Sequence, residues 1–223
     1  AGGGLGEAYA KLFARAVASV VAYDLGPPRD GSGSDKSMAQ TVVDAIKAEG
    51  GKAVANGSDI STMAGGQAVF DDAIKNFGRV DILVNNAGIL LDETFAKAKE
   101  ANWDKVIKVH RKGTFCLTQP VFKCRRDNVG RVIVNTASTS GLIGNVGQTN
   151  YASAKAGIIG YVSAQARKLA PRGICVNAIA PGYIETRMML AVPFFFREFA
   201  RRANSLSQGG VPLDAAELIT FLC

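Results

Sequence analysis

Apolar positions along this chain fall into two alternating patterns. Short stretches at 18–23, 52–55, 80–84, 129–134 and 174–179 are nearly continuous in Val, Ile, Leu and Ala. Longer stretches at 6–16, 37–49, 64–77, 103–123 and 151–170 are amphipathic. A short continuous apolar run bounded by turn residues suits a strand covered on both faces, and the longer stretches suit helices. Strand and helix in strict alternation predict an α/β fold: a Rossmann-type doubly wound parallel sheet with helices on both faces. At 223 residues the simplest organisation is one domain spanning 1–223. The turn-rich segment at 26–34 reads as a loop, because the alternation resumes after it. The chain opens directly on Ala1-Gly-Gly-Gly-Leu-Gly6 and closes on Phe221-Leu-Cys223. A first and a last strand are therefore expected outside residues 1–223. Because Ala1 is not Met, a removed targeting segment stays open as well.

Composition narrows the partners more than the fold. No apolar run reaches the eighteen residues a spanning helix needs, so no membrane partner is expected. Cys116, Cys124, Cys175 and Cys223 form no CxxC pair and have no histidine cluster beside them, so no metal is expected. They read as scattered thiols of a reducing, intracellular compartment. The cytoplasm is favoured, with the peroxisome and mitochondrial matrix left open. The net charge of +7 describes a basic but ordinary surface, or a field that draws in dinucleotides or phosphopantetheine thioesters. Nucleic acid is disfavoured, since the basic residues form no aromatic-interleaved patch. The pairs Arg125-Arg126 and Arg201-Arg202 read as solvated faces.

Candidate chemistry centres on Asn150-Tyr-Ala-Ser-Ala-Lys155, with Ser138 thirteen residues before Tyr151. On a helix Tyr151 and Lys155 share one face. A phenol with a pKa near ~10 needs help to exchange protons at neutral pH, and an adjacent ammonium favours the phenolate. A serine hydroxyl beside the phenol can hold a substrate oxygen. This set moves a proton on or off a carbonyl or alcohol oxygen. Taken alone, such an i,i+4 pair is also a common surface coincidence.

Three further segments agree with it. Glycines 2 and 4, with Leu5, open a helix whose N–H groups can face a pyrophosphate. Asp24 ends the next strand, about twenty residues on, where a carboxylate accepts from ribose hydroxyls and repels a 2′-phosphate. NAD is thereby favoured over NADP, although Asp24 also suits a simple turn cap. Asn85-Asn-Ala-Gly88 and Pro181-Gly182 follow strand ends, where ligands of such sheets sit, and each is equally compatible with a plain turn.

In this order the chain resembles the short-chain dehydrogenase/reductase family over nearly its whole length. The resemblance rests on the glycine loop, Asp24, Asp59-Ile60, Asn85-Asn-Ala-Gly88, Ser138, Tyr151-x-x-x-Lys155 and Pro181-Gly182. It implies a seven-stranded parallel sheet. It implies Tyr151 as general acid/base, Ser138 as the residue orienting the substrate oxygen, and Lys155 as a ribose ligand that lowers the Tyr151 pKa. Cofactor contacts are implied at Gly2, Gly4, Leu5, Asp24, Asp59, Ile60, Asn86, Ala87, Gly88, Pro181, Gly182, Ile184 and Thr186, and substrate contacts at Gln148 and Tyr183. The family often has Asn where His110 stands, holding a relay water; His110 is a candidate for that role, or a structural histidine.

Two subgroups are similar. Asp24-Leu-Gly with its long loop and Gly50-Gly-Lys-Ala-Val-Ala-Asn56 resembles the (3R)-hydroxyacyl-CoA dehydrogenase module of multifunctional β-oxidation enzymes. The segments 144–151, 181–188 and 204–210 resemble 3-oxoacyl-acyl-carrier-protein reductases. Both imply a 3-oxoacyl or 3-hydroxyacyl thioester of CoA or acyl carrier protein, and a homodimer or homotetramer. The alternatives are a steroid or other secondary-alcohol dehydrogenase and a non-catalytic dinucleotide-binding protein. Phe194-Phe-Phe196 reads as a substrate lid or as core packing.

Overall fold

The computed structural model describes residues 1–26, 37–124, 131–187, 189 and 194–223, with backbone alone for Ser37 and Phe196. The strands are β1 (Ser19–Tyr23), β2 (Lys52–Asn56), β3 (Ile82–Asn85), β4 (Arg131–Thr136) and β5 (Ile174–Ile179). The helices are α1 (Gly4–Arg15), α2 (Ser37–Ala48), α3 (Met63–Phe77), α4 (Glu100–Ile107), α5 (Gly113–Lys123), α6 (Ser140–Ile143), α7 (Thr149–Leu169), α8 (Phe194–Arg202) and α9 (Pro212–Leu222). Every strand pairing is parallel: Ser19 opposite Lys52, Ile82 opposite Val132, and Arg131 opposite Ile174.

Alternation within β4 shows why Val132, Ile133 and Val134 are all apolar. Ile133 faces one core with Leu83, Leu117, Val121, Leu169 and Val176. Val132 and Val134 face the opposite core with Tyr9, Ala215, Ala216 and Ile219. A strand buried on both sides has no solvent face to carry polar residues. Each such side chain contributes about 2 kcal/mol of transfer free energy. A third cluster packs α2 onto β1 and β2 through Val42, Val43, Ile46, Ala22 and Ala53. Helices thus cover both faces, as expected.

Seven strands less the two expected outside residues 1–223 leave five. Among the described residues five strands form two ladders, β1-β2 and β3-β4-β5. The Tyr23 hydroxyl links them by donating to the Val84 carbonyl at 3.2 Å. The expected helix at 103–123 is not continuous. It is divided into α4 and α5 by one π-helical turn, Lys108–Lys112. The extra residue in that turn carries His110 into the interior, where it is 2% exposed. Other expected element ends shift by at most two residues, and β5 matches at both ends. Thr62 caps α3 by accepting the Gly65 N–H at 3.0 Å, and Asp214 caps α9 by accepting the Val211 N–H at 2.7 Å. Residues 27–34 of the turn-rich loop, the Arg125-Arg126 pair and positions 129–130 of the expected fourth strand lie outside the described residues. Among the described residues no helix is long and apolar enough to cross a membrane.

Candidate functional site

The carboxyl ends of β4 and β5 are tied side by side beyond their ladder. The Ala137 N–H donates to the Ile179 carbonyl at 2.8 Å, and the Thr139 N–H to the Pro181 carbonyl at 3.1 Å. Ser138 therefore sits between two fixed backbone positions, buried, with its Oγ accepting the Ser140 N–H at 3.2 Å. The opening turns of α7 face this loop. Asn150 anchors them: its Nδ2 donates to the Leu91 carbonyl at 2.9 Å and its Oδ1 accepts the Tyr151 N–H at 2.7 Å.

Lys155 lies almost fully buried one turn below Tyr151. Its ammonium donates to the Thr136 carbonyl at 2.5 Å and stands 5.6 Å from the Tyr151 ring centroid. Burial pulls the Lys155 ammonium down to about 8. Burial pushes the Tyr151 phenol up; the Ser138 hydroxyl opposes this, and the Asp92 charge adds to it. The net direction at Tyr151 is upward, because loss of water around the phenol outweighs the Ser138 hydrogen bond, while the Lys155 ammonium donates to the Thr136 carbonyl.

His110 meets the same phenol from the π turn. Its ring stands edge-on to Tyr151 with centroids 5.2 Å apart. Its Nε2 lies 3.0 Å from the Ile89 amide nitrogen and 2.9 Å from the Ile89 carbonyl oxygen, so one tautomer accepts and the other donates. In either case Nδ1 is buried with no partner. A side chain at Gly88 would begin 2.4 Å from the imidazole Cε1, so only glycine allows this approach. Burial, reinforced by the Lys155 charge, lowers the His110 pKa to about 3. His110 is therefore neutral at physiological pH. The unfolded chain takes up a proton near pH 6.5 that the native state refuses until about pH 3, so His110 costs stability as pH falls through that window. His110→Asn is expected to flatten the loss of stability between pH 6.5 and pH 4 in denaturant titrations. Parallel curves for both proteins would contradict the buried neutral histidine.

The expected cofactor positions line the adjoining strand ends. Gly3 precedes α1 in extended conformation with no side chain capping the helix, which leaves its first N–H groups available. Asp24 at the end of β1 accepts the Gly2 N–H at 2.7 Å through one carboxylate oxygen and the Gly26 N–H at 2.9 Å through the other. It caps a turn and also braces the glycine segment. Asp59 accepts from the Ser61 N–H at 2.9 Å and hydroxyl at 2.6 Å, shaping the turn that carries Ile60 towards α3. Asn86 reaches Gly6, while its neighbour Asn85 turns inward to donate to Thr118 and Asn135. After Pro181-Gly182, the segment from Tyr183 to Glu185 is pinned to Gly210, and the Thr186 methyl comes within 3.6 Å of the position a Gly4 side chain would take. Gln148 donates to Asp92 at 2.8 Å and accepts the Ser140 hydroxyl at 2.9 Å. An uncapped helix start that can donate to a pyrophosphate, beside a strand-end carboxylate that can accept from ribose hydroxyls, suits a dinucleotide.

Two contributors had little signal in the sequence. Asp92 bears on the Tyr151 proton through its charge and holds Gln148, yet it stands in a loop without a motif. The carbonyl of Thr136 fixes the Lys155 ammonium, and a backbone acceptor leaves no trace in residue identity. Asn150 was visible only as the neighbour of Tyr151.

The family model described as short chain dehydrogenase matches residues 1–193. The peroxisomal hydratase-dehydrogenase-epimerase of Neurospora crassa is 47% identical over 184 residues, covering 81% of this chain but 20% of that protein. This chain thus spans only about a fifth of that relative. The 3-oxoacyl-acyl-carrier-protein reductase of Thermotoga maritima is 39% identical over 225 residues, covering 100% of this chain and 87% of that protein. Among solved structures, a short chain dehydrogenase from Mycobacterium avium superposes with a TM-score of 0.76 at 43% identity, covering 82% of this chain and 67% of that one.

Proposed function

Because the chain belongs to the short-chain dehydrogenase family, we propose that it interconverts 3-oxoacyl and 3-hydroxyacyl thioesters with Tyr151 as proton donor and acceptor. The observation that carries this reading is the convergence of Ser138, Tyr151 and Lys155 at the ends of β4 and β5, beside an uncapped glycine turn. The family implies a nicotinamide dinucleotide, which when bound supplies the hydride chemistry. Ser138 holds the substrate oxygen. Tyr151 gives that oxygen a proton during reduction and removes it during oxidation. Lys155 stays fixed by Thr136, ready to bind a ribose hydroxyl. His110, neutral and packed edge-on, positions the phenol. A substrate panel tests the reading: turnover of acetoacetyl thioesters is expected to exceed that of steroid ketones and simple secondary alcohols. The reverse order would overturn it.

NAD is the favoured dinucleotide, through Asp24. Asp24→Ala is expected to reduce the preference for NADH over NADPH, as a ratio of kcat/KM, about tenfold, equivalent to ~1.4 kcal/mol of charge repulsion. An unchanged ratio would remove Asp24 from cofactor selection. Residues 1–223 are taken as one cofactor-binding domain. A homo-oligomer, dimer or tetramer, is the assembly the family resemblance implies. The peroxisomal relatives favour the peroxisome among the compartments the sequence leaves open.

A further inference from the structure

A cleft of about 370 Å³ lies between the segment after β5 and helix α8. Tyr183, Glu185 and Arg187 line one side, and Arg197, Glu198 and Arg201 the other. Its charges do not balance. Arg201 takes both carboxylates, at 3.2 Å from Glu185 and 4.0 Å from Glu198, and Glu198 also pairs with Arg202 at 2.6 Å. Among the described residues no carboxylate pairs with Arg187 or Arg197 within 4.0 Å. The Arg197 Nε is buried without a hydrogen-bond partner, and its guanidinium stands 5.9 Å from the Phe194 ring centroid. A buried donor left unpaired is costly unless something accepts from it. Two guanidinium groups without carboxylates suit a phosphate, whose tetrahedral oxygens give a planar guanidinium two acceptors at once. The apolar rings beside them do not: Phe194 and Phe195 are 73% and 77% exposed, which also sets aside core packing for these two.

We infer that this cleft binds the phosphate of the phosphopantetheine that carries the thioester, with Arg187 and Arg197 as its anion clamp. The inference rests on the thioester reading above and gives that reading a phosphate contact. Tyr183 places the cleft next to the expected substrate contacts. Thr186, which also lines it, reaches back to the glycine turn. A phosphate here therefore has two sources, the thioester carrier or the dinucleotide, and the structure favours the carrier because Gly2, Gly3 and Gly4 do not line the cleft.

The test is coenzyme A binding by calorimetry, with NADH titrated separately, on the wild type, Arg187→Ala, Arg197→Ala and Arg197→Gln. Each variant is expected to weaken coenzyme A about tenfold, the usual scale for losing a charge-assisted hydrogen bond. The NADH Kd is expected to stay within about twofold. In turnover, the preference for acetoacetyl-CoA over the phosphate-free acetoacetyl N-acetylcysteamine thioester is expected to fall by a similar factor. Unchanged coenzyme A affinity in all variants would overturn the clamp. So would a weakened NADH with coenzyme A unaffected, which would assign the anion to the dinucleotide. Coenzyme A binding that depends on both arginines, in a protein that turns over no thioester, would support the clamp while removing the proposed reaction.

Discussion

Tyr151→Phe is expected to lower turnover of a 3-oxoacyl thioester by about a thousandfold, within the range a positioned general acid contributes. The substitution removes one oxygen and keeps the ring that His110 meets edge-on at 5.2 Å. Helix α7 begins through Asn150 and its bonds to Leu91 and the Tyr151 N–H, none of which involves the phenol oxygen. The variant should therefore fold normally and bind NADH with nearly wild-type affinity. Stopped-flow rates beside a fluorescence titration of NADH separate the two effects. Residual turnover above about a tenth of wild type would transfer the proton step to another group.

A large stability effect is expected at Gly66→Ala. A side chain at Gly66 on α3 would begin 2.2 Å from the Cys116 carbonyl oxygen and 2.6 Å from its carbon. Both atoms belong to the backbone of α5, so the clash is relieved only by separating the two helices. Overpacking against a yielding neighbour costs ~1–3 kcal/mol, and a rigid backbone places this substitution at the upper end. For a chain of this length that corresponds to a fall in Tm of about 6–12 °C. Gly160→Ala is the internal control: it lies in α7, and beyond its own helix backbone and chain neighbours nothing comes within 4 Å of the added carbon. It is expected to raise stability by about 0.5–1 kcal/mol through helix propensity. Equal melting temperatures for Gly66→Ala and the wild type would contradict the close packing of α3 on α5.

The architecture was legible because burial on both faces leaves an unmistakable pattern. Ile133 serves one core and Val132 and Val134 the other, so β4 needs apolar residues at every one of these positions. The order of Asp24, Asn86, Ser138, Tyr151 and Lys155 placed the site, because ligands of parallel sheets gather at carboxyl ends of strands. What stayed hidden depends on single atoms. The π turn at Lys108–Lys112 adds one residue to a helical stretch without disturbing its amphipathic pattern, yet it decides where His110 points. The spacing of Tyr151 and Lys155 gives their shared face but not the Thr136 carbonyl that captures the ammonium. The balance between burial and hydrogen bonding at the phenol follows from that geometry, and residue spacing does not show it. The division of five strands into two ladders was likewise invisible in the strand patterns themselves.

The central claim is tested most directly by following NADH and NADPH oxidation with acetoacetyl-CoA as the substrate. The account predicts rapid oxidation of NADH, slower oxidation of NADPH, and loss of both in Tyr151→Phe. Tight NADH binding with no oxidation by acetoacetyl-CoA would contradict the thioester reading and redirect it to other ketones. Equal turnover by Tyr151→Phe would contradict the proton-transfer role at its core.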